Sequence, residues 1–210
     1  MPALVEGTAP GGVLRGALAA RWGMGGNVTV AGGAGDNAAS AVGMGTVGEG
    51  HAFVSLGTSG VLFAANDSYR PSPQTAVHTF CHALPGTWHQ MGVILSATDS
   101  LNWLAGVTGR EPRELTEELG DRPNGPGKVT FLPYLSGERT PHNDAAIRGA
   151  FAGLGHESGR AAMTQADPLA VCTPPVTSET IEPDKALGAA YSDAYARYRA
   201  LYPAIKGATT

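Results

Sequence analysis

The chain has 210 residues, 42% hydrophobic and 15% charged, with a net charge of −4 and a pI near 5.8. That is a globular composition with a lightly charged surface, and it excludes nucleic acid or an anionic membrane as partner, since both require clustered Lys and Arg. No apolar run reaches membrane-spanning length, and the 30 Gly and 15 Pro fall at turns without a repeat period, which removes collagen-like and repeat architectures.

Cys81 and Cys172 are the two cysteines, far apart and outside any C-x-x-C spacing. They fit a reducing compartment better than a disulfide scaffold. The opening Met-Pro-Ala-Leu-Val-Glu-Gly lacks the basic and apolar regions of a signal peptide, so the expected location is cytoplasmic.

In chain order, residues 1–12 read as a Gly/Pro linker. From Val13 to Trp22, the spacing of Leu14, Leu18 and Trp22 predicts a short amphipathic helix. A buried strand is expected over 27–31, followed by a Gly-Asp-Asn turn into an Ala-rich helix from Asn37. Strands are expected over 51–56 and 61–65 around Gly57-Thr58-Ser59-Gly60, and a second hairpin over 77–83 and 87–93 across Pro85-Gly86. Residues 96–106 predict a helix with Leu101 and Leu104 inward and Gly106 as C-cap. A charged helix over 111–119, strands over 128–132 and 150–154, and a helix onset at Glu157 follow. Asp167-Pro168 interrupts that helix because Pro disfavours helical geometry in its predecessor. Residues 172–183 read as an extended linker. The last helix, 185–201, carries Leu187, Tyr191, Ala194, Tyr198 and Leu201 as one stripe that needs a packing partner. Interleaved strands and helices place the fold in the α/β or α+β class.

Two glycine turns carry the chemistry. Asp36 stands where a strand breaks through Gly-Gly-Ala-Gly into a helix. Its plain role is an N-cap, which Asp fills well; its chemical role is a general base that takes the proton of an attacking hydroxyl. Asn37 offers a donor and an acceptor that suit a polyol. Gly57-Thr58-Ser59-Gly60 is either an ordinary hairpin turn or an anion nest of amides and hydroxyls around a phosphate. No P-loop sequence is present. His78, Cys81, His82 and His89 match no standard zinc spacing, and strand packing is the expected reading. Glu138, Arg139, His142 and Asp144 crowd one Gly/Pro loop, read as structural and bordering the site.

The order Ala-Gly-Gly-Ala-Gly-Asp-Asn-Ala-Ala, Val-Ser-Leu-Gly-Thr-Ser-Gly, Tyr-Leu-Ser-Gly-Glu-Arg-Thr-Pro, Arg-Gly-Ala-Phe-Ala-Gly-Leu resembles the FGGY carbohydrate kinases. It is closest to the branch that phosphorylates D-xylulose to D-xylulose 5-phosphate, and the closing Ala-Leu-Gly-Ala-Ala-Tyr segment fits the same branch. The resemblance implies an α/β, actin-like (ribonuclease-H-like) fold with mixed sheet and flanking helices. It implies two lobes with the site in their cleft, and use of ATP and Mg²⁺. It makes Asp36 the catalytic base, Asp36 and Asn37 the sugar contacts, and Gly57, Thr58 and Ser59 the nucleotide-phosphate contacts. Thr98 and Asn102 border the nucleotide by a looser match. No metal ligand is assigned on this chain.

The departures shape the rest of the expectation. The family's first lobe, with its Asp-Gly-Thr phosphate loop, metal-coordinating acid and most sugar contacts, has no counterpart here. The Gly-Gly-Gly adenosine loop and the Trp- and Gln-containing helix after it are also missing, which places an absent segment at Ala166/Asp167. The expected organisation is therefore an interdomain linker and short helix over 1–26, a second-lobe kinase domain over 27–166, and a linker with C-terminal helix over 167–210. Such a chain alone is expected to have negligible kinase activity, because phosphoryl transfer depends on positioning both substrates. The competing reading is a non-catalytic binding or oligomerisation module, with the Tyr191/Tyr198 stripe driving a homodimer. A third keeps the kinase but changes the polyol to ribulose, gluconate or glycerol.

Overall fold

The structure is a computed structural model that describes residues 3–120, 125–166 and 184–209. The chain divides into two compact units, one of Met1–Ser55 with Val61–Gly92, the other of Leu56–Gly60 with Val93–Thr210.

The first unit begins with β1 (Pro10–Val13), α1 (Gly16–Arg21) and β2 (Thr29–Ala31). β1 pairs antiparallel with β2, so part of the expected linker is a strand. The strand expected to be buried is exposed instead: β2 is open along its length and Val30 is 47% accessible. β2 belongs to a two-stranded ribbon, and one antiparallel partner covers little side-chain surface. Next come α2 (Asp36–Gly43), β3 (Ala52–Leu56), β4 (Gly60–Asn66), a 3-10 turn at Pro73–Thr75, β5 (His78–Cys81) and β6 (Trp88–Ile94). These strands form one sheet in the order β3-β4-β6-β5. β5 and β6 are antiparallel, with His78 opposite Met91 and Cys81 opposite Trp88, as the Pro85-Gly86 turn predicts.

Alternation along these strands assembles an aromatic ladder on one face. Phe53 stacks on Phe63 at 4.8 Å, Phe63 on His89 at 4.4 Å, and His89 lies 5.8 Å from Phe80. Phe63 is fully buried and His89 nearly so. His82 turns its ring edge to Phe63 and bonds through Nε2 with the Thr46 carbonyl at 3.1 Å. The histidines thus pack in the sheet, as their spacing predicts.

The second unit contains α3 (Thr98–Thr108), α4 (Pro112–Glu117), β7 (Thr130–Leu132), β8 (Ala150–Ala152), α5 (Arg160–Ala166), a 3-10 turn at Lys185–Leu187, and α6 (Gly188–Thr209). The C-cap of α3 is Gly109, left-handed at φ 64°, not Gly106. Glycine reaches that conformation without a Cβ clash. α4 opens with a capping box: Glu114 accepts from the Glu111 amide at 3.1 Å, and Glu111 caps the third helical amide in return. Leu104, Ala105 and Leu115 form one small core with Leu101 and Met163 against it. β7 and β8 pair antiparallel, and Trp103, Phe131 and Phe151 stack on one another.

A second core of Leu132, Tyr134 and Ile147 receives Tyr198, Leu201, Tyr202 and Ile205 of α6. The stripe on the last helix therefore has its partner at Tyr198 and Leu201, whereas Tyr191 is 44% exposed. α6 also runs past the expected end at Leu201 and continues through Pro203 to Thr209. Anchoring of Tyr202, Ile205 and Lys206 outweighs the hydrogen bond that Pro removes. The expected break after Ala166 and the linker over 172–183, with Cys172, lie outside the described residues.

Candidate active site

In the first unit, Gly35 rather than Asp36 occupies the N-cap of α2, with extended geometry and no side-chain cap bond. The capping role considered for Asp36 is therefore not the one it takes. Asp36 is the first helical residue and is exposed. Its Oδ1 accepts from the Asn37 amide at 2.8 Å and from Asn37 Nδ2 at 3.3 Å. Among the described residues Oδ2 has no donor, so one carboxylate oxygen is open to an incoming proton. The Asn37 side chain, half-buried beside it, holds the carboxylate's orientation.

In the second unit, Gly57–Ser59 is stapled to the start of α3. The Thr58 carbonyl accepts from Ala97 N at 2.8 Å, and the Gly57 carbonyl accepts from Thr98 N at 3.1 Å and from Thr98 Oγ1 at 2.7 Å. Ser59 Oγ donates to the Leu95 carbonyl at 3.1 Å. The Gly57 amide is spent on the Ser59 carbonyl at 3.0 Å. The amides of Thr58 and Ser59, and the Thr58 hydroxyl, find no partner among the described residues, and the turn is exposed. Gly60 permits this approach: a Cβ there would stand 2.8 Å from Ile94 Cγ1 and 3.2 Å from Ala97 Cβ. The residues named by motif thus divide. Thr58 presents free donors, while Ser59 and Thr98 spend their hydroxyl protons on the scaffold.

One turn along α3 from Thr98, Asn102 is exposed and lines an open cavity of about 520 Å³ with Ala105, Gly106, Gly109, Arg110, Glu111, Pro112 and Glu114. Its volume is in the range of small-molecule sites. Arg110 approaches Glu114 at 3.9 Å. The loose motif match expects Asn102 to border a nucleotide; Arg110, which lines the same cavity, is not singled out, its only local signal being its position after a capping glycine.

The charged loop read as structural is tightly built. Glu138 and Asp144 exchange backbone bonds at 2.8 Å each. Asp144 Oδ2 takes Lys206 Nζ at 2.9 Å and Tyr202 OH at 3.0 Å, and these bonds hold its carboxyl down at about 2. Tyr134 OH meets His142 Nε2 at 3.2 Å and Tyr198 OH at 3.0 Å. Burial holds the Tyr134 phenol and the His142 imidazole neutral, raising the one and lowering the other. Glu138 is only 2% exposed, and burial pushes its carboxyl up to about 7. No group of three or more His, Cys, Asp or Glu able to hold a metal ion occurs among the described residues, nor does a helix long and apolar enough to cross a membrane.

Residues 52–174 match the family described as the FGGY family of carbohydrate kinases, C-terminal domain. The chain is 48% identical over 167 residues to the xylulose kinase of Klebsiella pneumoniae, covering 79% of this chain and 34% of that protein. It is 49% identical over 160 residues to the xylulose kinase of Escherichia coli, covering 76% and 33%. The crystal structure described as a xyloylose kinase from Brucella ovis superposes with a TM-score of 0.89 at 47% identity, over 97% of this chain and 57% of that one. The chain spans about a third of the length of the curated relatives it matches.

Proposed function

The chain belongs to the FGGY family of carbohydrate kinases, and we propose that it is the nucleotide-facing second lobe of an enzyme that transfers the γ-phosphate of ATP to D-xylulose. Its fold is the α/β, actin-like ATPase fold of those kinases. The observation that carries the proposal is the turn at Gly57–Gly60, held against α3 while the Thr58 and Ser59 amides and the Thr58 hydroxyl stay open. Donors fixed in that way lose little entropy when they meet an anion.

In the proposed reaction Asp36 accepts the proton of the attacking sugar hydroxyl on Oδ2. The new bond joins that oxygen to the γ-phosphorus, the bond from the γ-phosphorus to the bridging oxygen breaks, and ADP leaves. Asn37 orients Asp36 and offers its amide to a neighbouring hydroxyl. Thr58 and Ser59 hold phosphate oxygens through their amides, Gly57 gives the turn its shape, and Thr98 braces it. Asn102 and the cavity beside it take the nucleoside, with Arg110 as a nearby cation. A Mg²⁺ ion on the nucleotide would supply charge neutralisation of the phosphates. The described residues do not fit it, because the one open oxygen of Asp36 takes the proton, and no ligand on this chain is assigned to the ion. The proposed compartment is the cytoplasm. The dimer reading has less support, because Tyr198 is bonded to Tyr134 rather than free.

Titrating ADP into the chain tests the cradle. Thr58→Ala, which removes the open hydroxyl and keeps the amides, is expected to weaken binding by about tenfold or more, the worth of one hydrogen bond to a charged group, and undiminished binding would refute the assignment. Joined to an FGGY first lobe, the chain is expected to turn over D-xylulose faster than D-ribulose, gluconate or glycerol. Asp36→Asn should lower that turnover by about 10²–10⁴-fold with ADP binding intact; normal turnover removes the base.

A further inference from the structure

We propose that His82 is a positioning residue for α2, the helix that carries Asp36 and Asn37, acting through the Thr46 carbonyl and never touching the sugar. The inference rests on the reading of Asp36 as the base. α2 has eight residues and no side-chain bond at its N-cap, and a helix that short does not persist by itself in water. Its buried residues are Ala38 and Ala41, whose single methyl groups bury little apolar surface. Something beyond that face has to fix where the helix stands.

The fixed end is the C-terminal one. Gly45 turns left-handed at φ 73°. The Thr46 amide donates to the Ala41 carbonyl at 2.8 Å, and the Gly45 amide donates to the Val42 carbonyl at 3.1 Å. This crossed pair is a Schellman motif, and it makes residues 45 and 46 a rigid extension of α2. The Thr46 carbonyl takes His82 Nε2 at 3.1 Å, and the Gly45 carbonyl lies 3.3 Å from His51 Nδ1. His51 is exposed, whereas His82 and Thr46 are each 6% exposed. Water competes with the His51 contact and is kept from the His82 bond.

His82 is itself held on both sides. Its backbone amide donates to the Thr87 carbonyl at 3.0 Å, and its Nδ1 accepts from the Leu84 amide at 3.3 Å. A ring nitrogen that accepts carries no hydrogen, so the hydrogen of the neutral ring is on Nε2 and is donated to Thr46. One tautomer satisfies both bonds, and the edge contact with Phe63 holds the ring plane. The hairpin of β5 and β6 thereby sets where residue 46 stands, and α2 carries that placement over about 12 Å to Asp36. A misplacement of about 1 Å at a reacting group can lower a rate by about 10²-fold.

The test pairs two variants of the whole chain. His82→Asn keeps an acceptor for the Leu84 amide but stops short of Thr46, and His82→Gln extends an N–H donor to the reach of Nε2. Hydrogen exchange is followed at the bonded amides of Ala39, Met44 and Thr46, with Leu14 and Ala65 as bonded controls in the same unit. His82→Asn is expected to exchange about fivefold faster at the three α2 amides, the worth of one hydrogen bond, with the controls within about twofold. Joined to an FGGY first lobe, it should lower kcat about tenfold and leave KM for ATP unchanged. His82→Gln should restore exchange and kcat to within about twofold. In an Asp36→Asn background, His82→Asn should lower kcat no further, because it acts through that carboxylate. Uniform loosening, a raised KM for ATP, a further fall in the double variant, or failure of Gln to rescue would each overturn the proposal. Should His82→Asn not fold, Gly45→Ala strains the same anchor through its left-handed φ, with nothing within 4 Å of the added methyl. It should reproduce the exchange and kcat pattern, and unchanged values refute the anchor. Should Asp36→Asn turn over normally, the base reading fails by itself. Exchange then still decides whether His82 sets α2: faster exchange confined to that helix supports it, and unchanged or uniform exchange refutes it.

Discussion

The two units bury a titratable side chain by opposite chemistry. In the first, His89 lies in an aromatic ladder, and burial, reinforced by His82, lowers its pKa to about 4. In the second, Glu138 lies in a loop rich in polar groups, and burial raises its pKa to about 7. Desolvation favours the neutral form in both. Yet neutrality means an unprotonated ring in one and a protonated acid in the other, so the same physical cause makes the two units answer pH in opposite directions. The ladder is assembled by strand alternation alone, whereas the loop is assembled by bonds between residues far apart in sequence.

The sharpest way to break this contrast is Phe63→Ala. It opens the fully buried centre of the ladder and should cost about 3–5 kcal/mol. Exchange protection should collapse across β5 and β6, and an equal loss at β7 and β8 would show the units unfolding together.

Next comes pH. Folded His89 sits at about 4 against 6.5 unfolded, so the unfolded chain binds the extra proton, and its contribution is present above pH 6.5 and lost as pH falls toward 4. Folded Glu138 sits at about 7 against 4.5, so its contribution is complete below pH 4.5 and lost as pH rises through 7. Each full span is worth on the order of 3 kcal/mol. Acidifying from 6.5 to 4.5 should weaken amide protection in β5 and β6 and strengthen it in β7 and β8; parallel trends would contradict the contrast.

A smaller effect is expected from Tyr198→Phe, which removes the bond to Tyr134 but leaves that hydroxyl its contact with His142. The loss should be about 1 kcal/mol, visible as faster exchange in α6 and absent from the first unit. Least of all, Arg113→Ala deletes an exposed i,i+4 pair with Glu117. Such pairs gain little in water, and the urea midpoint should not move measurably.

Both candidate turns stand out in residue order. Glycines around Asp36 and around Thr58-Ser59 mark turns wherever they occur, and the structure keeps both residues exposed. Other features escaped for definite reasons. Gly106 and Gly109 stand three residues apart at the end of one helix, and local sequence gives no means of choosing the one that turns left-handed. The strand over 27–31 is apolar enough for a core, but exposure depends on how many strands flank it. Pro203 looks like a helix end until its neighbours are seen anchored. The roles of Ser59 and Thr98 could not be told from that of Thr58, because a hydroxyl's partner is set by what stands opposite it.

By itself the amino-acid order determined the turns, the helix and strand types and the kinship with carbohydrate kinases, since these depend on spacing and on backbone preferences that act over a few residues. Only the tertiary structure decided which polar groups are spent and which stay open. Tyr134 with Tyr198, Asp144 with Lys206 and Ser59 with Leu95 meet across long stretches of chain. A hydrogen bond has a reach of about 3 Å and a direction, and no pattern along a sequence encodes either.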